Sequence, residues 1–102
     1  MTRSVTIGRI DVQPGDLKSV EVEGRRVGLA NVEGRLYAFD DECTHEQCPL
    51  VEEGTLEGRV LTCGCHGAQF DVTTGKVLAP PAPRPIASYP VHVRDGEVTL
   101  EI

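Results

Sequence analysis

The chain has 102 residues, a length that suits one domain. Sixteen acidic against ten basic side chains give a formal net charge of -6, which argues against a nucleic-acid partner because phosphate contacts need basic groups. Only 4% of residues are aromatic, so valine, leucine, isoleucine and alanine have to build the core. No apolar run approaches the roughly 20 residues that span a bilayer, and the opening MTRSVTIGRIDVQPG lacks the apolar stretch of a signal peptide, so no membrane association and a cytoplasmic location are expected.

Turn signals cut the sequence into short pieces, none with a helical period longer than about two turns. Residues 5–8, 18–23 and 26–32 read as strands, with Val20 and Val22 alternating against charged neighbours. Gly24 and the run from Asn31 to Gly34 mark hairpin turns. A strand at 36–39 leads toward Cys43, and a turn at Glu57 and Gly58 leads through a strand at 60–62 to Cys63. Strands at 69–72 and 76–78 flank the turn Thr73, Thr74 and Gly75. The stretch APPAPRP at 79–85 is stiff and cannot join the middle of a sheet, because proline lacks the ladder donor. From Pro90 onward the chain reads as a hairpin: Val91 and Val93 alternate with His92 and Arg94, Asp95 and Gly96 turn, and Val98, Leu100 and Ile102 alternate back. His92 falls on the polar side of that hairpin and is read as a surface histidine. The expected fold class is all-β, with antiparallel hairpins presenting two loops side by side.

Those two loops carry all four cysteines and two of the three histidines, in the stretch CTHEQCPLVEEGTLEGRVLTCGCH from 43 to 66. Cys43 and His45 form a C-x-H pair; Cys63 and His66 form a C-x2-H pair. Each half-site offers one thiolate and one imidazole. One tetrahedral zinc would take all four ligands. A [2Fe-2S] cluster would instead place both cysteines on one iron and both histidines on the other. Cys48 and Cys65 are surplus to either set, and two free reactive thiols beside a metal weigh against the zinc reading. Local spacing leaves both readings open.

The run Cys43, Thr44, His45, then Cys63-Gly64-Cys65-His66-Gly67, followed by Phe70-Asp71 and Thr74-Gly75-Lys76, resembles the Rieske [2Fe-2S] family. It is most similar to the small soluble Rieske-type ferredoxins that feed electrons to aromatic-ring dioxygenases. The resemblance covers about residues 40–83, and implies a Rieske-like fold with a small cluster-binding subdomain over that range of a single domain, 1–102. It further implies that one [2Fe-2S] cluster is held by Cys43, His45, Cys63 and His66. Cys48 and Cys65 resemble the disulfide-forming pair of the Rieske subunits of respiratory and photosynthetic complexes, and such a bridge would tie the two ligand loops together without consuming a ligand. Pro81, Ala82 and Pro83 resemble the proline loop that covers the cluster, the alternative being a rigid connector. Ala68 and Phe70 stand where high-potential relatives have a serine and a tyrosine, and neither can donate a hydrogen bond.

The function implied is that of a one-electron carrier, not an enzyme, between a flavin-containing NAD(P)H-dependent ferredoxin reductase and a terminal oxygenase. The alternatives are a small Rieske subunit of a larger oxidoreductase such as a nitrite reductase, and a zinc-stabilised binding domain. The sequence carries no glycine-rich nucleotide loop and no nucleophile-base set beyond the ligands. Asp40, Asp41, Glu42, Glu46, Glu52, Glu53 and Glu57 crowd the ligand loops and suit docking onto basic patches of redox partners, or simply a hydrated face. Oligomeric state is left open.

Overall fold

The computed structural model describes residues 3–43, 48–65, 67–80 and 84–102. Among these residues the chain forms three antiparallel sheets and one short helix. The first sheet orders β1 (Ser4–Arg9), β11 (Glu97–Glu101) and β10 (Val91–Arg94). The second orders β2 (Leu17–Val22), β3 (Arg25–Val32), β4 (Arg35–Asp40) and β9 (Ser88–Tyr89). The third orders β5 (Thr55–Glu57), β6 (Val60–Thr62), β7 (Gln69–Asp71) and β8 (Val77–Ala79), and helix α1 (Leu50–Glu53) precedes it. The all-β architecture of antiparallel hairpins expected from the sequence is the one observed.

Three hairpins share one turn chemistry. Glu23 and Gly24, Glu33 and Gly34, and Asp95 and Gly96 each place both residues at positive φ, the two-residue turn whose twist matches the flanking strands. The second turn is shorter than the run Asn31 to Gly34 suggests, because Asn31 and Val32 belong to β3. Asn31 serves the turn with its side chain instead: Oδ1 accepts from the Gly34 amide at 2.7 Å, and Nδ2 donates to the Val12 carbonyl at 2.6 Å. Similarly Val72, expected at the end of a strand, opens the turn after β7.

The period-2 alternation of β3 and β4 divides the interior into two cores. Val27 and Leu29 of β3 and Ala38 of β4 pack with Val12, Val22, Val98 and Leu100 between the first two sheets. Ala30 of β3 and Phe39 of β4 point the other way and join Leu50, Leu61, Phe70, Val72 and Ile86 of the third sheet and its loops. Burial on both faces explains why β3 reads as a near-continuous apolar run. Gly28 sits opposite Phe39, and a Cβ there would overlap the Phe39 ring, so the ring reaches the second core only because Gly28 has no side chain.

At the edge of the first sheet, Val93 is 56% exposed although it alternates with the interior positions. It lines an open groove with Ile10, Val12, Leu36 and Val91. His92 is exposed on the other side, as expected, and pairs with Glu101 at 2.7 Å. No helix among the described residues is long and apolar enough to cross a membrane.

Candidate metal centre

The third sheet and the end of β4 bring the two cysteine loops together. Cys43 lies three residues beyond β4, and Cys63 follows β6 directly. Both loops close in the same way. The Cys43 amide donates to the Cys48 carbonyl at 2.9 Å, and the Cys63 amide donates to the Ala68 carbonyl at 2.7 Å, each spanning five residues. A further bond from the Gly67 amide to the Cys63 carbonyl, 2.9 Å, tightens the second loop. The two loops thus share the same five-residue closing bond.

Cys48 and Cys65 form a disulfide, with Cα atoms 6.5 Å apart across a sequence separation of 17. Cys43 and Cys63 keep their thiols outside the bridge, and both are buried. The donor chemistry therefore suits a Rieske cluster. Of four cysteines the bridge removes two, and the two thiols that remain match the two thiolates such a cluster takes. They lie in the same apolar cluster as Ala68 and Phe70, both fully buried. The expected ligands His45 and His66 and the expected cover Pro81, Ala82 and Pro83 lie outside the described residues, as does Glu46. The flank of that cover is fixed: the Ile86 amide donates to the Gly75 carbonyl at 3.0 Å, and the Asp40 amide donates to the Ala87 carbonyl at 2.9 Å.

The support beneath the loops includes residues that the sequence reading did not single out. Asp41, grouped there with the acidic surface, is 2% exposed. Its Oδ1 accepts from the Val51 amide in the first turn of α1 at 2.7 Å, and its Oδ2 accepts from the Ser19 hydroxyl at 2.9 Å. The Arg26 guanidinium approaches Oδ2 at 3.7 Å and donates to the Asp41 carbonyl at 3.2 Å. One carboxylate thus joins β2, β3, the root of the first loop and the helix that follows it. Asp40 accepts a 2.5 Å hydrogen bond from the Tyr89 hydroxyl, which in turn accepts from Arg25 at 3.3 Å. Burial, then the bond to Asp40 and its charge, push the Tyr89 hydroxyl up to about 12, so it stays a donor at neutral pH. Glu42, Glu52, Glu53 and Glu57 do lie exposed as expected.

Close backbone contact completes the arrangement. A Cβ on Gly64 would overlap the Glu53 carbonyl, so the second loop rests directly on the end of α1. Asp71 organises the turn beyond β7: its Oδ1 accepts from the Thr73 amide at 2.9 Å and the Thr73 hydroxyl at 2.6 Å. Arg59 lies 3.5 Å from its other oxygen. Burial raises the Asp71 carboxyl, but the Thr73 donors with Arg59 and Lys76 outweigh it and hold the group below its usual 3.8.

Comparison with known proteins agrees with this geometry and extends it. The family described as the Rieske [2Fe-2S] domain matches residues 4–90, well beyond the stretch that carries the sequence motifs. The ferredoxin component of the naphthalene 1,2-dioxygenase/salicylate 5-hydroxylase systems of a Ralstonia species is 40% identical over 92 residues, 90% of this chain and 88% of that protein. Among solved structures, the Sphingomonas yanoikuyae B1 ferredoxin superposes with a TM-score of 0.89 at 30% identity, covering 98% of this chain and 99% of that one. A chain from the complex of reduced oxygenase and oxidised ferredoxin in carbazole 1,9a-dioxygenase superposes with a TM-score of 0.87 at 34% identity, covering 95% and 91%. With its paired cysteine loops, its two buried thiols and a match that runs through the flanking sheets, the chain belongs to the Rieske [2Fe-2S] family, as a relative of the ferredoxin components of ring-hydroxylating dioxygenase systems.

Proposed function

We propose that the protein carries one electron at a time from a flavin-containing NAD(P)H-dependent reductase to a terminal oxygenase, as a single domain, 1–102, whose residues 40–83 form the cluster-binding part. The observation that carries this reading is the pair of buried thiols left outside the bridge, in a chain that shares the family along nearly its whole length. Cys43 and Cys63 would hold one iron of the cluster, and His45 and His66 the other. A cluster so held, with a doubly positive core, two thiolates and two neutral imidazoles, would be neutral when oxidised and would supply one-electron chemistry at a higher potential than a four-thiolate centre.

The chain's own residues set the conditions for that exchange. Cys43 and Cys63 sit in an apolar cluster that excludes water from the thiolate side. The bridge, the Asp41 network and the contact of Gly64 with Glu53 hold the two loops in one register. Such support keeps the ligand atoms in place when the charge changes. Pro81, Ala82 and Pro83 are the residues we assign to the cover of the site. The exposed carboxylates Glu42, Glu52, Glu53 and Glu57 steer the carrier onto basic partner surfaces, an attraction that salt weakens. Supply from a reduced nicotinamide fits a cytoplasmic location. Stopped-flow mixing with NADH and the flavin reductase of an aromatic-ring dioxygenase system tests this: the chain should accept one electron and then reoxidise on addition of the oxygenase. Transfer that neither component accelerates would overturn the proposal.

A further inference from the structure

The sulfur atoms of Cys48, Cys63 and Cys65 all lie within 4.8 Å of one another. Two of them are bonded in the bridge and the third is a buried thiol, so this trio is not the ligand set proposed above. We infer that opening the bridge turns the trio into a three-thiolate site for a thiophilic divalent cation of the zinc class, and that the disulfide keeps this site closed. The site itself needs only the sulfur geometry, while the protective role of the bridge rests on the electron-carrier reading.

Thiolates select soft and borderline cations, and a zinc-sulfur bond of roughly 2.3 Å at tetrahedral angles places sulfurs roughly 3.8 Å apart. Bringing Cys63 to that distance takes a contraction of no more than about 1 Å, while the two bridge sulfurs separate once their bond is broken. Cys48 and Cys63 are buried and Cys65 is exposed, which gives the cation an entry path and leaves water the fourth position.

The steps balance. A dithiol reductant reduces the bridge to two thiols and is itself oxidised to a cyclic disulfide. The divalent cation then displaces three thiol protons and binds three thiolates, leaving the centre with one negative charge. Because Cys63 belongs to both sets, a chain with its bridge open and a cation bound offers one cysteine fewer to a cluster. The bridge then acts by withholding two thiolates from the wrong metal, besides tying loops together.

The test compares the cluster-free full chain with the bridge closed and with the bridge opened by a dithiol that is then removed, both without oxygen. Co(II) is titrated in as the optical probe, and the thiolate-to-cobalt charge-transfer band counts the bound thiolates. The opened chain should reach about one and a half times the two-thiolate intensity, three ligands against two. The closed chain should not exceed the two-thiolate level. Cys43→Ser should keep the three-thiolate band of the opened chain, and Cys65→Ser should reduce it. Equal spectra from closed and opened chains, a band lost with Cys43→Ser but kept with Cys65→Ser, or loss of the far-ultraviolet strand signal on opening would each overturn the inference. Iron and sulfide uptake by the closed chain is measured in parallel. Normal uptake without a third thiolate sinks this inference alone, whereas a third thiolate without uptake sinks the carrier reading alone.

Discussion

Replacing Asp41 with alanine probes whether the two loops are held by one buried carboxylate. The substitution removes the acceptor of the Val51 amide at 2.7 Å, and of the Ser19 hydroxyl at 2.9 Å. Ser19 is exposed and half of the Arg26 side chain is in solvent, so water replaces those partners at a cost of about 1 kcal/mol or less. The Val51 amide lies in the first turn of the four-residue helix Leu50–Glu53, where no helical carbonyl accepts it and Pro49 supplies no side-chain cap, so Asp41 is its acceptor. A hydrogen bond to a charged group is worth about 1.5–3 kcal/mol, so the total comes to about 2–4 kcal/mol. Hydrogen exchange under native conditions reads this directly. Protection of the Val51 amide should fall by about 30- to 1,000-fold, with Gly54 following as the helix frays. Asp41→Asn keeps an acceptor for Val51 and should lose no more than about a third of that effect. Alanine within about threefold of wild type, or asparagine as damaging as alanine, would refute the assignment of Asp41 as the anchor.

Removing the bridge with Cys48→Ala and Cys65→Ala together should lower stability by about 3 kcal/mol, the loop-closure value for a separation of 17, while leaving the iron count unchanged; two titratable thiols at these positions in the unreduced native protein would contradict the bridge. Ala68→Ser and Phe70→Tyr should each raise the reduction potential, the pair more than either alone, since a hydroxyl near a cluster sulfur favours the reduced state; a potentiometric titration with no rise for the pair would show that these hydroxyls do not reach. Because Asp71 is held below its usual 3.8, its contribution to stability is present above that value and is lost as pH falls through the lower folded value. Thr73→Val removes one of the donors that lower this carboxyl, so the variant should melt below wild type at pH 7, and the difference should close as the pH falls toward 2; a gap that stays constant over that range would contradict the assignment.

Hairpins were legible because their signals are local: X-Gly turns at positions 24, 34 and 96 and alternating valines define β2, β3, β10 and β11 without help from the rest of the chain. The cysteine loops were legible because ligand spacing is a chemical pattern, and the bridge came with the family resemblance. What could not be read depends on distant contacts. Asp41 sits between Asp40 and Glu42 and looks like one more surface carboxylate; its partners Ser19, Arg26 and Val51 come from three other elements. Helix α1 is too short to show a period and is held by Asp41 at one end and by the Gly54 amide on the Leu50 carbonyl at the other. The two-residue strand β9 exists through its pairing with Ala38 and Phe39. Val93 misled in the opposite sense, since alternation marks a face but not whether an edge strand has anything to cover it.

A reductive titration without oxygen, joined to a metal count on the same sample, tests the electron-carrier reading most directly. The protein should be red-brown, with two irons and two labile sulfides per chain, and be reduced by a single electron to a state with one unpaired spin per chain, its midpoint toward the low end of the roughly -150 to +300 mV Rieske range. A colourless protein with stoichiometric zinc, produced under iron-replete conditions, would contradict that reading.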